Sequence, residues 1–369
     1  MDQLLATETV FMENNTAFFN ATQLHANITQ VLMMGSYTRE ECLLAHQLNN
    51  DIYFLGSLFF SSVVSLIASP SLIYFIYSKL LTAKFHTNLK ILLILYFGSL
   101  SLFSLGVSFG FGYRFVITFF VQNDCELLID PIFFKYYHLG LLGLMTFSML
   151  LPIGFAIERF IALFNAKIYE HSFKHLGSII STILFAFEDL LLWLIYKDET
   201  FAGPHYALVL VPTTSATLFN LFFYFFIGVQ IFSLVCTVII LIQNRRMAQK
   251  KENQTVSMRF VMIEVYEATR LMVVVGFLHV FFVGCYVVGG LTVRLLGPSY
   301  FDSVANYLIA RAIYCSVPIY NLVIPLVGFK VMNDLEKKRK KEVDETIQLK
   351  SIGEEGMKNY QDLLKQIWD

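Results

Sequence analysis

The chain has 369 residues, of which 56% are hydrophobic, 16% aromatic and only 15% charged, with a formal net charge of −1. Two or three soluble domains would fit the length, but so apolar a composition, gathered into long runs with few charges, excludes a soluble globular protein and reads as a membrane protein. A net charge this close to zero gives no reason to expect nucleic acid as a partner.

The polar tail, residues 1–51, opens with MDQLLATETVFMEN, which lacks the basic start and continuous apolar core of a cleavable signal, so the first apolar run is expected to do the targeting. Three Asn-x-Thr acceptors, at Asn14, Asn20 and Asn27, read as an external, glycosylated tail. A further sequon at Asn253 falls in a loop expected in the cytosol and shows how easily the pattern arises by chance.

Seven apolar runs follow: Ile52 to Tyr77, Leu89 to Phe111, Tyr136 to Ile157, Leu176 to Tyr196, Thr217 to Gln243, Leu271 to Leu291 and Val304 to Val327. Each can cross a hydrocarbon core of about 30 Å. In lipid a lone run must satisfy its own backbone groups, so each is expected to be a helix despite many Phe, Val and Ile residues. The fold class is therefore all-α: a seven-transmembrane-helix bundle over residues 52–327, with an external tail 1–51 and a cytosolic tail 328–369. No internal repeat or inverted pair of broken helices of the transporter kind is visible.

With the N-terminus outside, 21 of the 27 lysines and arginines fall on the cytosolic side and five outside, with Arg311 inside the seventh span. That bias sets the orientation. Of five cysteines, Cys236, Cys285 and Cys315 lie within spans. Cys42 and Cys125 lie before the first and third spans on the oxidising side, so they can make the one extracellular disulfide; two unpaired thiols are the alternative.

Ionisable groups inside a membrane are expensive and mark candidate sites. Tyr137 and His138 open the third span, Glu188 and Asp189 sit in the outer part of the fourth, His279 lies near the middle of the sixth, and Tyr307 and Tyr314 flank Arg311 at helical spacing in the seventh. Together they are candidates to line an outward-opening cavity for a small ligand. The competing reading is packing: Arg311 paired for stability, the histidines satisfied in the core.

Glu158 and Arg159, in AIERFIALF, are expected to emerge at the cytosolic mouth of the third span. They read either as a snorkelling arginine with a neutralising neighbour or as a switch in which Arg159 is held by local carboxylates and released to a cytosolic partner. Glu264 and Glu267, on an amphipathic lead-in to the sixth span, are its candidate distant counter-ions. Pro318 and Pro325 each remove a backbone donor in the seventh span and permit a kink. KKRKK, Lys337 to Lys341, suits anionic inner-leaflet lipids.

Little supports catalysis or a cofactor. His171 and His175 have the i, i+4 spacing of a metal pair but lack an intervening glutamate and flank a loop, so no metal is expected. No G-x-S-x-G, P-loop or Cys-x-x-Cys occurs. The seventh span has no lysine for a retinal Schiff base.

These features resemble G-protein-coupled receptors. FHTNLKILLIL, NDCELLI, AIERFIAL with KIYE after it, VSMRF and VPIYNLVIPLVGF, in that order over most of Cys42 to Lys330, are similar to the nematode serpentine chemoreceptors of the Sra superfamily, most like the class alpha/beta branch. The resemblance implies a chemosensory receptor in the plasma membrane of sensory neurons, coupled through the arginine of ERF to a heterotrimeric G protein. The loop between spans four and five lacks the cysteine that rhodopsin-like receptors bridge to helix three. A ligand-gated channel or transporter is the alternative, against which the odd span number and absent repeats weigh; a membrane hydrolase is a distant third.

Overall fold

The structure is a computed structural model that describes residues 37–83, 85–121, 123–165, 169, 173–212, 214–249, 256–313, 315–351, 356–358 and 361, with no description of the side chains of 248–249, 256–264 and 342–351. The sequons at Asn14, Asn20 and Asn27, as well as His171 and Tyr314, lie outside the described residues, as does the side chain of Glu264.

A short amphipathic helix, α1 (Arg39–Asn50), precedes the first span, its start fixed by a capping box between Thr38 and Glu41. The seven spans are then α2 (Ile52–Phe75, prolonged by a π-helical turn Ile76–Leu80), α3 (Thr87–Ile117), α4 (Pro131–Phe164), α5 (Leu176–Tyr196), α6 (Ala216–Gln249), α7 (Val256–Leu296) and a broken seventh, α8 (Val304–Ala312) with α9 (Ser316–Ser351). Seven helical segments are long and apolar enough to cross a membrane. Among the described residues no β-strand occurs; an isolated bridge joins Ile129 to His205.

Most helices overrun the expected spans. The reason is local: capping residues and polar, helix-compatible turns continue the backbone beyond the hydrocarbon run. Asp130 caps α4, its carboxylate accepting from the amide of Phe133 at 2.8 Å, and Pro131 takes the first helical position, where its missing donor costs nothing. The 34 residues of α4 rise about 51 Å, well beyond a membrane core.

The seventh span departs from a continuous Val304 to Val327. Ile313 turns extended (φ −67°, ψ 118°) and the helix restarts at Ser316. Pro318 then falls in the first turn of α9, where its missing amide is tolerated, and its ring disfavours helical geometry just before it. Pro325, by contrast, is carried inside α9.

A ladder of serines on α2, at 57, 61, 65 and 69, is buried. Such a stripe of small residues lets two helix backbones approach in lipid. Against α3, Ser69 pairs with Ser101 at 2.9 Å and Ser62 donates to the carbonyl of Ser108 at 2.9 Å. α4 is the central helix, in contact with α3, α5, α6 and α7. The outward faces remain apolar, with Ile52, Phe120, Phe232 and Leu221 all strongly exposed, as lipid-facing residues are.

Two ends of the bundle differ in chemistry. At one end, which carries the start of α2, Cys42 and Cys125 form a disulfide with Cα atoms 4.4 Å apart. Buried Arg114 reinforces it by donating to Asn49 at 3.0 Å and to the Leu127 carbonyl at 2.7 Å, so α1, α3 and the following loop are one unit. The opposite end carries the last turns of α4.

Candidate functional site

The foot of α4 is where the sequence placed its switch, and there the expected position changes. Glu158 and Arg159 do not emerge after the helix; they lie inside it, with neither exposed at all. Burying a lone charge is prohibitive, so the two neutralise one another. Glu158 takes Arg159 Nε at 2.5 Å and Nη2 at 2.6 Å on its two carboxylate oxygens.

A second layer closes over the pair from the loop after α4. Tyr169 donates its phenol to Glu158. Burial first, and then the Glu158 carboxylate, push the Tyr169 phenol well above its ordinary value, so it remains a donor. Tyr169 is itself held by Asn88, whose Nδ2 donates to the Tyr169 hydroxyl at 3.2 Å and to the Phe173 carbonyl at 2.5 Å, while Oδ1 accepts from the Gly177 amide at 3.1 Å. A Cβ at Gly177 would overlap the Asn88 backbone, so only glycine permits this approach of α5 to α3. Sequence reasoning quoted Asn88 within FHTNLKILLIL but assigned it no role. One signal was present: an amide in an apolar helix needs a partner.

Of the two expected distant counter-ions, the side chain of Glu264 lies outside the described residues. Glu267 pairs with Arg339 at 2.6 Å, a half-buried contact between the foot of α7 and the continuation of α9. Arg339 belongs to the basic run read from sequence as lipid-binding. Lys79 makes a similar strut to Glu336 at 2.9 Å. α9 thus ties the feet of α2 and α7 together.

The described candidate cavity residues make their contacts in five places, His279 apart from the rest. Tyr137 donates to the Gly106 carbonyl at 2.9 Å. His138 meets the Tyr196 hydroxyl at 2.9 Å and stacks on Phe134, which stacks in turn on His205 at 3.8 Å. Glu188 accepts from Thr146 at 3.2 Å, with Asp189 exposed beside it. Arg311 lies over the Tyr307 ring at 5.2 Å.

His279 joins an unforeseen triad in mid-bundle. Its Nδ1 lies 3.2 Å from the Tyr96 hydroxyl and 3.0 Å from that of Tyr320, and the two phenols bond each other. The triad links α3, α7 and α9. One residue on, Asn321 donates to Ser104 at 2.8 Å. The Tyr-Asn pair of VPIYNLVIPLVGF is therefore what docks α9 on α3, just past the break in the seventh span.

Over the disulfide end, the loop from Asp198 to Ser215 packs inward through Phe201, Leu208 and Val211. Burial pushes the Glu199 carboxyl up, but hydrogen bonds from Thr214, Ser215 and the Phe201 amide outweigh it and leave the group below its ordinary value. Burial lowers His205, which keeps its ring neutral against Phe134.

Comparison with known proteins gives the family. The family described as "Serpentine type 7TM GPCR chemoreceptor Srb" matches residues 49–283. The chain is similar to three Caenorhabditis elegans proteins: serpentine receptor class beta-3, at 41% identity covering 89% of this chain and 96% of the relative; class beta-12, at 39% covering 91% and 97%; and class beta-13, at 33% covering 91% and 98%. The match is to the beta class, which corrects the broader alpha/beta placement read from motifs.

Proposed function

The chain belongs to the Srb family of serpentine seven-transmembrane chemoreceptors, a receptor family and not an enzyme family, and from that membership we propose that it is a G-protein-coupled chemosensory receptor. In this reading the protein sits in the plasma membrane of sensory neurons with the disulfide end outside. A small ligand acts on the half of the bundle bearing Tyr137, His138, Glu188, Asp189, Tyr307 and Arg311. A heterotrimeric G protein engages the opposite face.

The observation that carries this reading is the buried clamp at the foot of α4. A static helix end would leave its arginine snorkelling to the interface; here Arg159 is fully enclosed by Glu158 beneath Tyr169. An enclosed guanidinium is of use to a partner only in a second state that frees it, so the described arrangement corresponds to the resting state. Ligand binding would favour the open state through the α3–α7–α9 triad, which spans the helices whose feet must separate.

The test is ligand-stimulated nucleotide exchange on a co-expressed G protein, with surface expression measured in parallel. Arg159→Ala is expected to abolish stimulation at normal surface level. Unchanged stimulation would overturn the proposal.

A further inference from the structure

Between α4 and α5 a groove of about 490 Å3 opens on the outer flank of the bundle. Its floor is made by absence of side chains: Gly140 and Gly143 stand one turn apart on α4, and a Cβ at Gly140 would meet nothing within 4 Å. Its walls are aromatic, with Phe147, Phe185 and Trp193. Two carboxylates enter it, Glu188 and Asp189. Gly143 also matters to the acid, since a Cβ there would stand 3.1 Å from Glu188 Oε1.

Asp189 is exposed, yet it lies seven residues inside the end of α5, about 10 Å along the helix. A carboxylate facing hydrocarbon at that depth is costly unless a cation meets it. Among the described residues Asp189 has no ion pair; Lys197, at the rim of the groove, lies 3.9 Å from Asp198 and over the Trp193 ring at 5.8 Å. Aromatic rings beside a carboxylate are also what a bound ammonium selects, through cation–π attraction.

From this juxtaposition we infer that the groove is a lateral binding site for a lipophilic ammonium compound that reaches it through the bilayer, its cation on Asp189 and Glu188 and its chain along Phe147 and Phe185. A phosphatidylethanolamine headgroup fits less well. Such a lipid carries its phosphate on the acyl side of its ammonium, the reverse of a lysine at the rim with carboxylates deeper in. The inference rests on the receptor reading for Glu188 and Asp189 and adds a ligand class and a route of entry, and its test uses no G protein, so either can fail alone.

The experiment uses the full-length chain with Trp368→Phe in phosphatidylcholine nanodiscs, which leaves Trp193 as sole donor of the chain's two tryptophans. The probe is N-dansyl-1,8-diaminooctane, compared with its N-acetylated, uncharged form. Expected is saturable energy transfer from Trp193, at least tenfold tighter for the amine, with Asp189→Asn erasing that preference. Gly140→Phe, or the smaller Gly140→Leu, should remove binding of both probes while leaving the thermal transition in place. Equal affinity for the two probes, transfer that never saturates, indifference to both Gly140 substitutions, or displacement of the amine by phosphatidylethanolamine added to the nanodisc would each overturn the inference. So would spontaneous crosslinking of Gly140→Cys between copies, which would assign the groove to a second chain.

Discussion

Glu158 and Arg159 are neighbours in sequence, both without solvent exposure, and the carboxylate holds the guanidinium through both of its oxygens at 2.5 and 2.6 Å. Consecutive residues on a helix point about 100° apart, so the two side chains must fold toward each other to meet. Tyr169 holds the same carboxylate by donating its phenol to it.

Removing this hold should therefore release the switch. Tyr169→Phe deletes one hydrogen bond to a charged group, a loss of about 1.5–3 kcal/mol if it acts only on the closed state. Basal nucleotide exchange should rise by about tenfold or more, since each 1.4 kcal/mol is a factor of ten. Exchange assays without ligand read this directly, and unchanged basal exchange would remove Tyr169 from the mechanism.

The strut between Glu267 and Arg339 predicts a smaller effect in the same direction. It is partly exposed, and pairs of this kind contribute about 0.2–1 kcal/mol. Arg339→Glu should raise basal exchange by about twofold to fivefold, within that range. The exchanged pair, Glu267→Arg with Arg339→Glu, should return it toward the starting level. A double variant no different from the single would show that the strut carries no coupling.

At the other end the disulfide closes a separation of 83 residues. Cys42→Ser or Cys125→Ser should cost about 2–4 kcal/mol, the usual range for such a bridge. Because Arg114 independently joins α1 to the same loop, the fold should persist with a lowered thermal transition. Thermal unfolding in detergent, with and without reductant, checks both parts. A transition insensitive to reductant would mean that Arg114 alone suffices.

The loop over that end should loosen in acid. The folded value of His205 lies below the ordinary 6.5, so its neutral packing stabilises the loop fully above pH 6.5 and is lost as pH falls beneath it. Glu199 acts in a lower window: its folded value lies below 4.5, so its contribution is complete above 4.5 and is lost on further acidification. Hydrogen exchange at the Ile129 amide, which donates to the His205 carbonyl at 2.9 Å, is the readout, corrected for intrinsic rates. His205→Phe should abolish the upper step and leave the lower one. An upper step that survives this substitution would assign it to another group.

Much of the architecture was legible without coordinates. Seven apolar runs had to become helices because hydrocarbon offers the backbone no other partner, and the order of weak motifs reached a serpentine chemoreceptor, though not its beta class. Compartment left Cys42 and Cys125 as the one pair able to bridge outside, and the fold brings their Cα atoms to 4.4 Å. Pro318 and Pro325 were expected to permit a kink in a continuous span; only the backbone shows that the helix ends at Ala312 and restarts at Ser316, with Pro325 carried inside.

What the tertiary structure decided is which polar groups share a partner. From sequence Arg159 read either as a snorkelling helix-end cation or as one held by a local carboxylate; packing encloses it against Glu158, with Asn88 and Tyr169 arriving from two other segments. The eight residues expected to line one cavity do not declare their facing in sequence. A helix turns about 100° per residue, so adjacent Glu188 and Asp189 border the same groove at different depths: Glu188 is buried against Thr146 while Asp189 is exposed. His279 needed two tyrosines from distant helices before it had a role. The sequence by itself determined how many helices cross and what chemistry they carry, since those depend on local solvation. Which faces meet depends on contacts between residues hundreds of positions apart, and only the folded bundle decides that.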